Sequence, residues 1–142
     1  MKKIIQGVIK YLTLFVAGAI IYMTIEILFR GYTYMQMGVV GGIVMIVIGL
    51  LDEPFKKELP VIIYASMSAI IITLIEYIAG YIFNIKLGMN MWDYSDLPFN
   101  VDGQVCLYFS LAWGFLGIVA SVIDNLIRHY WFGEPKSYLK WI

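Results

Sequence analysis

Carboxylates set in or beside apolar sequence are the residues of this chain that could do chemistry. Glu26 and Glu76 lie inside long runs of Ile, Leu, Val, Met and Gly, while Asp93, Asp96 and Asp102 alternate with Trp92, Tyr94 and Phe99. A carboxylate in hydrocarbon is costly unless it is paired, protonated or wet, so each such residue is a functional candidate by default. Arg30 follows Glu26 by four residues, the spacing that places two side chains on one helix face. An interfacial ion pair therefore accounts for Glu26 as well as a functional role does. Glu76 has no basic residue within a turn, so it must find a partner on another element, bind a cation or hold a proton. Acids among aromatic rings suit a cation, an ammonium-bearing solute or proton-coupled chemistry. The candidate site is thus Glu26, Arg30, Glu76, Trp92, Asp93, Tyr94, Ser95 and Asn100.

Composition narrows the classes. Of 142 residues, 61% are hydrophobic and 14% charged, against roughly 25% charged in a soluble domain, and the mean hydropathy is +0.81. Lys and Arg balance Asp and Glu at 10 each, so nothing points to nucleic acid. One cysteine, Cys106, excludes an internal disulfide and a cysteine-cluster metal site, and one histidine, His129, excludes a histidine-rich one. Metal binding through carboxylates stays open, and no cofactor is expected.

The elements that must position these residues are membrane helices. A span needs about 20 mostly apolar residues, and four segments supply them: about 4–29, 32–51, 61–83 and 103–123, the last stopping at Asp124. Continuous rather than alternating apolar runs argue against a β-barrel. The first run lacks a small-residue cleavage site and reads as a retained helix. Four spans place both termini on one side, with Lys2, Lys3, Lys10, Lys56, Lys57, Arg128, Lys136 and Lys140; only Arg30 and Lys86 lie opposite. That asymmetry puts both termini in the cytoplasm and the Trp92 loop outside. Asp52-Glu53-Pro54 is a natural helix stop, and Asp52 and Asp124 read as solvated boundary residues. The stretch 125–142, with Tyr130, Trp131, Phe132, Tyr138 and Trp141, reads as an interfacial amphipathic tail. The expected fold is an all-α membrane protein: one four-helix transmembrane domain with an extracytoplasmic loop between the third and fourth helices.

The two halves are weakly alike. Ile25-Glu26 precedes Gly31-Tyr32 as Ile75-Glu76 precedes Gly80-Tyr81, and Gly38, Gly42, Gly49 and Asp52 share their offsets with Ser110, Gly114, Ser121 and Asp124. A duplicated two-helix hairpin, of the parallel kind found in transporters, would produce this, with the Trp92 region as an insertion. Chance similarity in Gly- and Ile-rich sequence would produce it too. Small residues at these spacings also let helix backbones approach closely in lipid, as Ala65 and Ala69 would on the third helix.

Trp92-Asp93-Tyr94-Ser95, Pro98-Phe99-Asn100, Gly103, Cys106-Leu107, Ser110-Leu111 and Trp113-Gly114, preceded by Ile75-Glu76-Tyr77 and Gly80, resemble the ABC-transporter type IV (CmpB-like) family of small bacterial integral membrane proteins. The resemblance is specific over about 75–117 and loose over the first half. It implies a permease of the bacterial plasma membrane. The chain has no Gly-x-x-x-x-Gly-Lys-Ser/Thr loop for nucleotide phosphates, so an ABC activity would need a separate ATPase.

The sequence thus leads to a small multi-pass transporter or permease component with an acidic, aromatic, outward-facing solute or cation site. The lipid bilayer, a homo-oligomer or a larger membrane complex would be its setting. Two alternatives stand beside it. One is an integral-membrane enzyme using an acidic pair on a lipid or envelope substrate, with no Ser/His or Cys/His constellation for covalent chemistry. The other is an accessory subunit without a site of its own.

Overall fold

The computed structural model describes residues 1–51, 53, 58–137 and 140. Helix α1 (Lys2–Arg30) ends where Gly31 turns to φ +83° and returns its N–H to the Ile27 carbonyl over 2.8 Å, a left-handed cap that glycine adopts without a Cβ penalty. Four residues after Gly31, α2 (Met35–Leu50) begins. Helix α3 (Val61–Gly80) continues as a π-helical segment, Tyr81–Lys86, closed by Leu87 N–H to the Ile82 carbonyl at 3.0 Å. Helix α4 spans Leu107–Phe132. Between the segment and α4, β1 (Asn100–Val101) and β2 (Val105–Cys106) form a small antiparallel hairpin.

Three of these stretches, Lys2–Arg30, Val61–Lys86 and Leu107–Phe132, are long and apolar enough to cross a membrane. Helix α2 is apolar but only 16 residues long, about 24 Å at 1.5 Å per residue, short of the roughly 30 Å hydrocarbon core.

The fourth span departs from expectation at both ends. It starts at Leu107 rather than 103, because residues 103–106 are taken into the turn and second strand of the hairpin. It runs on to Phe132 because Asp124 is no boundary residue. Asp124 is 3% exposed, and its carboxylate is 2.8 Å from Arg128 Nε one turn on. Residues 125–132 are therefore helix, not tail. Asp52, Pro54, Lys56, Lys57, Tyr138 and Trp141, on which the helix stop, part of the charge asymmetry and the headgroup anchors rested, lie outside the described residues.

The chain forms two compact units, Met1–Pro60 with Val119–Ile142, and Val61–Ile118. In the first, glycines join α1 to α2. A Cβ on Gly18 would lie 2.7 Å from the Gly41 carbonyl oxygen, and one on Gly41 would lie 3.0 Å from the Gly18 carbonyl oxygen. Gly38 and Gly42 receive Met23 and Phe15 in the same way. In the second unit, Gly114 lies against the Ala65 carbonyl and Gly117 against Ser68. Where lipid tails are as apolar as the side chains, such close backbone packing is what holds helices together.

Candidate functional site

Glu76 is the buried carboxylate of the second unit, 5% exposed on α3. Each of its oxygens accepts one hydrogen bond from an aromatic donor. The Tyr94 hydroxyl donates to Oε1 over 3.0 Å, and the Trp113 indole N–H donates to Oε2 over 2.8 Å. Tyr94 comes from the loop before the hairpin and stacks on Phe109 of α4, with ring centroids 4.7 Å apart and planes 18° from parallel. Trp113 lies one turn further along α4, its ring centroid 6.5 Å from that of Phe109. No basic side chain pairs with Glu76 among the described residues.

The loop that presents Tyr94 is built from its own polar side chains. Asn84, in the π-helical segment, donates from Nδ2 to the Trp92 carbonyl (3.1 Å) and to Gln104 Oε1 (2.8 Å), and its Oδ1 accepts the Met91 N–H (2.7 Å). The Trp92 indole N–H donates to the Gln104 carbonyl at 2.9 Å. Asp93 Oδ1 accepts from the Ser95 hydroxyl and, over 2.9 Å, from the Ser95 backbone N–H. This is an Asx turn, and those two bonds, the hydroxyl's first, hold the exposed Asp93 carboxyl below its usual range. Asn100 Nδ2 donates to the carbonyls of Leu97 and Ser95, and its Oδ1 accepts the Gly103 N–H. Gly103, at φ +68°, has Asp93 Oδ1 where a Cβ would stand, and its carbonyl accepts the Tyr94 N–H at 2.7 Å.

Of the sequence candidates, the structure thus brings Tyr94 to Glu76. It uses Trp92, Asp93, Ser95 and Asn100 to shape the loop that aims Tyr94. Asp102, the third acid of the loop, accepts the Tyr77 hydroxyl over 2.8 Å. In the other unit, Glu26 pairs with Arg30 at 2.7 Å and accepts the Thr33 hydroxyl at 2.5 Å, while the Arg30 guanidinium sits 4.7 Å from the Tyr32 ring centre. The i,i+4 pair expected from spacing is therefore present.

Sequence reading missed Trp113, Phe109, Asn84 and Gln104. Trp113 had one usable signal: a tryptophan inside an apolar span carries an N–H that needs an acceptor. Also missed was a charge cluster in the first unit. Arg128, 2% exposed, is 2.8 Å from Asp124, 2.8 Å from Glu53 and 3.7 Å from Glu134, and Glu134 in turn lies 2.7 Å from Lys10 Nζ. The i,i+4 spacing of Asp124 and Arg128 is visible in the sequence, where Asp124 reads as a solvated boundary residue and Arg128 as one of the basic residues on the side of the termini. Among the described residues no group of three or more His, Cys, Asp or Glu side chains is arranged to hold a metal ion.

A family model described as "Putative ABC-transporter type IV" matches residues 26–142. No curated protein and no solved structure matches the chain.

Proposed function

The chain belongs to the ABC-transporter type IV family, and from that premise we propose that it is a transporter or permease component whose solute or cation site is built on Glu76. The observation that carries this reading is the Glu76 carboxylate, buried in a span with one aromatic hydrogen bond on each oxygen and no basic partner among the described residues. A charge in that setting is neutralised by a proton or by a cationic solute, and exchange between the two is the elementary step of coupled transport. Tyr94 and Trp113 hold the carboxylate in place, and the stacked Tyr94–Phe109 pair sets aromatic surface beside it of the kind an ammonium group prefers. Tyr94 belongs to the loop, so a change in its hydrogen bond to Glu76 would pass directly to the Trp92–Asn100 segment. The excess of basic residues in the terminal segments is what supports an extracytoplasmic position for that loop.

The family description points to a membrane complex or an ATPase partner. The chain carries no phosphate-binding loop of its own, so nucleotide hydrolysis would be the partner's. The test is Glu76→Gln in proteoliposomes. Uptake or binding of a cationic solute is lost while the purified variant stays monodisperse and keeps its unfolding temperature. Unchanged transport would remove Glu76 from the mechanism.

A further inference from the structure

A cavity of about 400 Å³ lies in the first unit between the start of α1 and the end of α4. Lys3, Gln6 and Lys10 line it from one face of α1, and Trp131, Phe132 and Glu134 close the opposite side. The spacing of Lys3 and Lys10, two turns apart, aims both ammonium groups along the same wall. Lys10 Nζ gives one hydrogen bond to Glu134 Oε1 at 2.7 Å, and an ammonium carries three donors. Lys3 makes no hydrogen bond or ion pair among the described residues. Gly7, between the lysines, keeps the wall low: a Cβ there would meet nothing within 4 Å. Two lysines against one glutamate leave the cavity positive.

We propose that this cavity binds the phosphate headgroup of an anionic glycerophospholipid, with Lys3, Gln6 and Lys10 as its donors. Three features favour a lipid over a soluble phosphate. Trp131 is 71% exposed at the rim, as an indole at headgroup depth would be. One residue round α1 from the lysine face, Ile4, Val8 and Leu12 form an apolar stripe, exposed by 72%, 61% and 63%, along which acyl chains can lie. The site also sits at the ends of two helices long enough to span a membrane, where headgroups are. Glu134 is held by Lys10 and Arg128, so its charge is already balanced on its own side of the cavity.

The experiment titrates the purified full chain, in neutral detergent, with phosphatidylglycerol and with phosphatidylcholine, and counts bound lipid by native mass spectrometry. Phosphatidylglycerol is expected to be retained in preference to phosphatidylcholine. Lys3→Gln is expected to weaken it roughly fivefold, the effect of one basic side chain near an anionic surface, and Gly7→Leu, which fills the cavity, to abolish it. Equal retention of both lipids, or unchanged phosphatidylglycerol binding in both variants, overturns the proposal. Displacement of the lipid by millimolar inorganic phosphate also overturns it, by showing a soluble-phosphate site. Should Gly7→Leu aggregate, Lys3→Gln decides alone, since its side chain is exposed and supports no contact.

Discussion

The Trp113 indole N–H donates to the Glu76 carboxylate over 2.8 Å, tying α4 to α3 at the single charged position of α3. Trp113→Phe keeps the ring and removes the donor. It leaves one buried oxygen of Glu76 without its partner, which costs about 1–3 kcal/mol for such a group. The expected outcome is a lower unfolding temperature in detergent, together with weakened solute binding. A Glu76→Gln, Trp113→Phe double-mutant cycle should return a coupling energy of about 1–2 kcal/mol. Additive effects would mean that the two side chains stabilise the unit independently.

This contact also marks how far the sequence reaches. Glu76 was legible because an acid in an apolar run with no base one turn away is a local pattern. Its pairing with Tyr94 and Trp113 was not, since they lie 18 and 37 residues away in the chain: Tyr94 is a site candidate without an assigned partner, and Trp113 reads as one more residue of an apolar span. The helix runs followed from hydropathy alone, and the Glu26–Arg30 pair from helical periodicity. The end of α4 did not follow, because hydropathy counts Asp124 and Arg128 as two penalties where the structure has one neutralised pair. Its start was hidden for a different reason. The turn residues Asp102 and Gly103, both at positive φ, draw apolar residues 105–106 into a hairpin that local apolarity would have given to the helix.

Asp93 supplies a pH dependence outside the spans. Its folded value lies below the usual 3.8, chiefly through the Ser95 hydroxyl and then the Ser95 N–H. A depressed carboxyl stabilises the ordered loop fully above the unfolded value, and that contribution is lost as pH falls through the folded one. The loop is therefore expected to loosen only below pH 3.8. Ser95→Ala should move the Asp93 titration, followed by NMR on its carboxyl carbon, upward toward that value. An unchanged midpoint would assign the shift to something other than Ser95.

Two glycines on α1 should respond oppositely to the same substitution. Gly18→Ala puts a Cβ 2.4 Å from the Met45 Cβ and 2.7 Å from the Gly41 carbonyl oxygen, where backbone must move. Overpacking of this kind costs about 1–3 kcal/mol. Gly7→Ala meets nothing within 4 Å and gains helix propensity of up to about 1 kcal/mol. Thermal unfolding in detergent should fall for Gly18→Ala and hold or rise for Gly7→Ala. Equal tolerance at both positions would show that α1 and α2 do not pack through their glycines.

The buried cluster around Arg128 gives the sharpest stability test. Arg128 is 2% exposed and faces Asp124, Glu53 and Glu134, so Arg128→Met leaves three carboxylates close together without their shared cation. Removing one partner of a buried pair costs about 3–5 kcal/mol, mostly because the other is left buried and charged. Arg128→Met alone should unfold at a markedly lower temperature. Asp124→Leu added to it removes the deepest stranded charge, from a side chain that packs against Gly49. The double variant is therefore expected to recover most of the loss, since an apolar pair of similar volume replaces a buried ion pair at little net cost. A double variant less stable than Arg128→Met would mean that the cluster acts as more than a neutralised pair, with Asp124 holding α2 and α4 in register through a contact that leucine cannot replace.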